Sequence, residues 1–83
     1  MTLVYFAWVR QINGTGEEEM ALPQGVRDVR GLIATMKGRD EKYARAFAEE
    51  DRIRVAVNQH HAGLDAALAD GDEVAFFPPV TGG

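Results

Sequence analysis

An α+β roll of the β-grasp type, a mixed sheet with one main helix across one face, is predicted by three features of the sequence. Residues alternate with a period of two near both ends. Between them one segment has the helical period. The length of 83 residues holds one domain and not two. Parallel pairing of the first strand with the last, over a single helix, accounts for every element. Length and order alone also allow a split ferredoxin-like half.

Thr2 to Arg10 reads as the first strand, rich in β-branched and aromatic residues. Asn13-Gly14, with Gly16, supplies a turn, and Glu17 to Leu22 a returning strand ended by Pro23 and Gly25. The period then changes. Val29, Leu32, Ile33 and Met36 fall at i, i+3, i+4 and i+7, one apolar stripe on a helix. Asp28 is its natural N-cap, Lys37 suits its last turn and Gly38 its C′ position. Gly31 inside this helix costs about 1 kcal/mol relative to alanine, with no compensation visible in the sequence. Tyr43, Ala44 and Phe47 suggest a short second helical turn. Arg52 to Asn58 alternates as a strand that Gly63 breaks, and Leu64 to Leu68 forms one helical turn. Asp70-Gly71-Asp72 is turn chemistry before a last strand, Glu73 to Phe77. Pro78-Pro79 stops it, since proline donates no ladder hydrogen bond. The expected organisation is a β-grasp domain over residues 1–77 followed by a flexible C-terminal tail over 78–83.

Composition narrows the function. Nine Lys and Arg against thirteen Asp and Glu give a net charge of −4, which argues against a nucleic-acid binder. No apolar run approaches a membrane span, so no membrane partner and a cytoplasmic location are expected. All the bases lie between Arg10 and Arg54, and the acids Asp65, Asp70, Asp72 and Glu73 are unmatched beyond them. That acidic end either solubilises a loop or meets a basic partner surface. Cysteine and serine are both absent, which removes thiolate metal sites, disulfides and the usual acyl-transfer nucleophiles. His60 and His61 are adjacent and cannot chelate one metal from a strand, so they read as loop or rim residues and no metal site is expected. The runs Glu17-Glu18-Glu19 and Glu49-Glu50-Asp51 lack calcium-loop spacing and read as solvated.

The charges assign the sheet faces. Arg10, Arg54 and Glu73 mark the solvated phase, leaving Leu3, Tyr5, Ala7, Val9, Ile53, Val55, Val57, Val74 and Phe76 for the core. Phe6, Trp8 and Phe77 then fall on the open face, a larger apolar patch than monomers usually expose, and aromatic residues are favoured interface anchors. These three residues are the candidate partner interface.

No side-chain active site is visible, and attention passes to the end of the sequence. A Gly-Gly pair there arises by chance about once in 200 chains at a ~7% glycine background. Two prolines stiffen the exit, and glycines present no Cβ to a narrow channel, so such a tail can carry a main-chain carboxylate into another protein's active site. A carboxylate needs activation; attack on ATP gives an acyl-adenylate whose adenylate sulfur can replace to leave a thiocarboxylate, and neither step needs a side chain from this domain.

The stretch Asp70-Gly71-Asp72-Glu73-Val74-Ala75-Phe76-Phe77-Pro78-Pro79-Val80-Thr81-Gly82-Gly83 resembles the C-terminal signature of the MoaD-type small, sulfur-carrier subunits of molybdopterin synthase, which are ubiquitin-like. The resemblance continues in Val57-Asn58-Gln59 and in Val4-Tyr5-Phe6-Ala7 with Val9-Arg10, so it covers both ends and the helix between. It implies a β-grasp fold and a role in molybdenum cofactor biosynthesis. Gly83 would be adenylated by a ubiquitin-activating-like adenylyltransferase that uses ATP, then converted to a thiocarboxylate with sulfur from a donor protein. The inserted segment would comprise Phe77, Pro78, Pro79, Val80, Thr81, Gly82 and Gly83, with Phe6 beside it in the docking patch. Its partner would be the large synthase subunit, in a heterotetramer, and sulfur would pass to cyclic pyranopterin monophosphate to build the dithiolene. A thiamine-type carrier, a ubiquitin-like protein modifier and a plain β-grasp interaction module are the alternatives.

Overall fold

The computed structural model describes residues 1–79. Its elements are β1 (Thr2–Tyr5), α1 (Ala7–Asn13), β2 (Glu17–Glu19), α2 (Val29–Arg39), α3 (Glu41–Ala46), a 3₁₀ turn (Glu50–Arg52), β3 (Arg54–Val57), β4 (His60–Ala62) and β5 (Glu73–Phe77). The sheet runs β2-β1-β5-β3-β4, and its centre is the parallel pair of first and last strands, from Thr2 against Glu73 to Tyr5 against Phe76. This is the predicted mixed-sheet β-grasp roll.

The core follows the predicted phase. Leu3, Tyr5, Val55, Val74 and Phe76 from the sheet close on Val29, Leu32, Ile33 and Met36 of α2. Phe76 is fully buried, with Tyr5 stacked at 5.9 Å on one side and Phe47 tilted at 4.9 Å on the other. Truncating such a residue to alanine typically costs about 3–5 kcal/mol.

Helix α2 begins with its orphan N–H groups satisfied. The Val29 and Arg30 amides donate to the carbonyls of Ala66 and Leu64, and Gly31 donates to Asp28 Oδ1 at 2.8 Å. A Cβ on Gly31 would stand 3.1 Å from that same oxygen, so glycine lets the capping carboxylate lie close over the first turn. The residues after Gly63 therefore form a turn and an extended segment bridged to Asp28 through Ala67, not a helical turn. Gly38 does not end the helix either. Asp40 does, and its carboxylate then caps α3 through the Lys42 amide at 2.9 Å.

Further expectations are corrected. The first strand stops at Tyr5, where Ala7 turns into the left-handed region at φ +52° and α1 begins. Val9 and Asn13, four apart, bury one face of that helix while Arg10 and Gln11 stay in water, so helical packing outweighs the β propensity of the segment. Ala7 is exposed rather than in the core. Gly14, at φ +82°, closes the helix by donating to the Arg10 carbonyl, so the Asn13-Gly14 pair is a helix terminus and not a hairpin turn.

The third strand ends at Val57, and the chain reverses through Asn58 and Gln59 at φ +51° and +69° into β4. A two-residue hairpin turn of the I′ class needs positive φ at both positions, which asparagine tolerates and glutamine resists. Asn58 is held there by a bond from the Glu73 amide to its Oδ1 and one from its Nδ2 to Asp72, both 3.0 Å. His60 and His61 thus lie on an edge strand rather than a loop.

Replacing Gln59 with glycine relieves the left-handed strain at the second turn position. Its melting temperature should rise, corresponding to about 0.5–1 kcal/mol, whereas Asn58→Gly should lower it by removing the side-chain bonds to β5.

Candidate functional site

The last described strand sits between β1 and β3, so its exit is fixed by neighbours on both sides. The Phe6 amide donates to the Phe76 carbonyl at 3.1 Å, the last bond before α1 begins. One residue further the chain passes Phe77, paired in register with Arg54, and reaches Pro78 and Pro79, both half-buried. Proline supplies no amide there, so the ladder ends.

The outward face of the sheet carries a row of small or half-buried residues, Val4, Ala75 and Ala56 in register, ending at His61. The His61 ring meets Phe77 edge-on at 5.5 Å. Phe6, 49% exposed, is one of two large apolar side chains open to water among the described residues. The end of the sheet where β5 stops therefore presents Phe6 and Phe77 together with His61 and Arg54.

Trp8 is separated from this group. It belongs to α1, where it lines a cleft with Ala46 of α3. Because α3 packs through Phe47 on the buried ring of Phe76, that cleft lies in the helical layer, across the sheet from Phe77. Placing Trp8 on the open sheet face required a strand running through residue 8, and the helix removes that requirement. The candidate residues Val80, Thr81, Gly82 and Gly83 lie outside the described residues.

The acidic end is largely engaged within the fold. Asp70 lies 3.8 Å from the N-terminal ammonium and accepts the Leu22 amide, Asp65 pairs with Arg30 at 3.2 Å, and Asp72 accepts from Asn58 and from the Ala69 amide. The Asn58 bond, followed by that amide, lowers the Asp72 carboxyl below its ordinary range. These contacts engage Asp65, Asp70 and Asp72 within the fold. Among the described residues, no group of three or more His, Asp and Glu could hold a metal ion, and no helix is long and apolar enough to cross a membrane.

One polar cluster escaped the sequence. In β2 alternation turns Glu18 inward, and its Oε1 accepts hydrogen bonds from the hydroxyls of Tyr5, at 2.7 Å, and Tyr43. Glu18 is thus a clasp between β2, β1 and α3 rather than part of a solvated run. The signal was present as a glutamate opposite Leu3 in an edge strand, but only the position of α3 supplies the second phenol. Burial first, then the bond to Glu18, raises both tyrosines: Tyr5 strongly, and Tyr43 to about 12.

A parallel β1–β5 pair at the centre of a five-stranded mixed sheet, with helices on one face, defines a ubiquitin-like β-grasp protein. The family profile of ThiS matches residues 3–83, and the chain belongs to the ThiS family. It is similar to the molybdopterin synthase sulfur carrier subunit of Escherichia coli, with 42% identity over 98% of this chain and 96% of the relative. Among solved structures, a Pyrococcus furiosus chain described as subunit 1 of a molybdopterin converting factor is 42% identical. It aligns with a TM-score of 0.73 over 95% of both chains. Small archaeal modifier protein 1 of Haloferax volcanii is 27% identical, with a TM-score of 0.73 over 96% of this chain and 97% of that one.

The two phenols predict alkaline sensitivity. Below their ordinary value of 10.0 both keep their protons, folded or unfolded. Above it the unfolded chain releases protons that the folded chain retains, so stability is full below about pH 10 and falls as pH rises toward 12. The urea midpoint should follow that course, with a shallower fall in Tyr43→Phe, which has one fewer group to titrate.

Proposed function

We propose that this chain is a sulfur carrier subunit of molybdopterin synthase, acting through the main-chain carboxylate of Gly83. The observation that carries this reading is the conjunction of a fixed β5 exit, flanked by Phe6 and Phe77, with relatives of that name matching over nearly their full length. A carboxylate oxygen of Gly83 attacks the α-phosphorus of ATP in an adenylyltransferase partner, and pyrophosphate leaves. Hydrosulfide delivered by a donor protein then attacks the acyl carbon, the acyl–oxygen bond breaks so that AMP leaves with one carboxyl oxygen, and a thiocarboxylate remains. The tail, from Pro78 to Gly83, enters the large synthase subunit and gives its sulfur to cyclic pyranopterin monophosphate.

In this division of labour the domain supplies position and the partners supply the catalytic groups. Phe77, on the strand that becomes the tail, and Phe6, beside it, anchor the docking surface. Burial of an aromatic anchor adjacent to the inserted segment holds the tail in register, because the proline pair leaves little slack between them.

A modifier role uses the same terminal activation, and it is favoured by the likeness to small archaeal modifier protein 1, which is 46% identical over 48% of this chain. The two readings part at the acceptor, a pterin in one case and a lysine of another protein in the other.

Incubation with the adenylyltransferase, ATP and a sulfur donor should raise the mass of the chain by the difference between one sulfur and one oxygen. Deleting Gly82 and Gly83 should abolish that change while leaving the melting transition in place; loss of folding would make the tail structural. Appearance of isopeptide-linked products without dithiolene would favour the modifier role.

Phe77→Ala should weaken binding to the large subunit by about 1–3 kcal/mol in calorimetry, and unaltered affinity would place the anchor elsewhere.

A further inference from the structure

Helices α1 and α3 enclose a cleft of about 320 Å³ that the tail-transfer reading leaves unused. Trp8 and Ile12, four apart on α1, form one wall; Ala46 of α3 lies at its base; Arg45, Glu49 and Arg52 stand around it. Ile12, 37% exposed, is the second of the two large apolar side chains open to water among the described residues. The first, Phe6, belongs to the tail exit. We infer that this cleft is a separate docking site for a short acidic segment of a partner protein, one that inserts an apolar side chain between Trp8 and Ile12 and places a carboxylate at Arg45.

The electrostatics select that occupant. In a chain of net charge −4, this cleft has two arginines against one glutamate. Glu49 is already bonded to Arg52 at 3.0 Å, so the pair cancels, and Arg45 has no ion-pair partner among the described residues. An exposed guanidinium beside an apolar floor favours a ligand that is both anionic and apolar. Its volume is at the lower end of the ~300–1,000 Å³ of ligand pockets and holds one or two side chains. A second copy docking by a twofold axis would set the unpaired Arg45 of each chain near that of the other, an arrangement that like charge opposes. The cleft lies in the helical layer, across the sheet from Phe77, so it can be occupied while the tail is engaged.

Trp8 is the single tryptophan, which gives a direct readout. The full chain is titrated with the peptide acetyl-Asp-Leu-Glu-Phe-Glu-amide and with its counterpart bearing lysine at all three acidic positions, at low salt. The acidic peptide should change Trp8 emission saturably and shift the amide resonances of Ile12 and Ala46. The lysine peptide and an Arg45→Glu chain of unchanged melting temperature should each bind at least tenfold more weakly, and added salt should weaken the acidic peptide. Equal binding of both peptides, no saturable change, or unchanged binding by Arg45→Glu overturns the proposal. So does concentration-dependent dimerisation that alone moves the Trp8 signal, which would make a second copy the occupant. Tighter peptide binding by a chain ending at Pro79 would assign the cleft to the chain's own tail and overturn it equally.

Discussion

Parallel pairing of β1 with β5 is the constraint on which the rest of the architecture depends. Two parallel strands cannot be joined by a tight turn, so everything between them has to form the crossover that covers one sheet face. The pairing joins the two ends of the sequence, and loop closure on that scale is offset only by burial. Phe76, wedged between Tyr5 and Phe47, supplies much of it. It also gives the last strand two hydrogen-bonded neighbours. The position at which β5 ends is therefore set by the core, a firmer arrangement than an edge strand could give.

Polar side chains finish what the apolar core begins, and they do so at the sheet's weak points. β2 is a three-residue edge strand of glutamates, a composition with little β propensity. Glu18 compensates by accepting from two phenols, one on β1 and one on α3. At the other edge, Asn58 binds Asp72 and Glu73 and so ties the β3–β4 turn to the start of β5. Each clasp joins residues far apart in sequence, and each leaves the outward face of the sheet uncovered for use.

Legibility varied with how local the physics was. The α2 stripe of Val29, Leu32, Ile33 and Met36, its Asp28 cap and the alternating core phases of β1, β3 and β5 were all readable, because periodicity and capping depend on neighbours in sequence. The outward phase of Phe77 was readable for the same reason, whereas Phe6 is exposed as the residue preceding α1 and not as part of a longer strand. Residues 7–13 were not. Leu3, Tyr5, Ala7 and Val9 alternate well enough for a strand, and only the packing of Val9 and Asn13 favours the helix. The Asn58-Gln59 turn lacked the glycine that normally announces it, and Gly31 made sense only once Asp28 was seen folded over it.

The amino-acid order by itself determined which residues are apolar, at what spacing, and where proline ends the last strand; those properties fix the faces of α2 and of the sheet. Tertiary structure decided which surfaces those faces leave over. Whether Trp8 joined Phe77 or stood across the sheet from it depended on a single backbone turn at Ala7, whose left-handed angle is offset by the packing of helix α1 on α3 and not favoured by any local preference of alanine. Distant contacts overrode a small local energy there, and the molecule acquired two separate apolar surfaces in place of one.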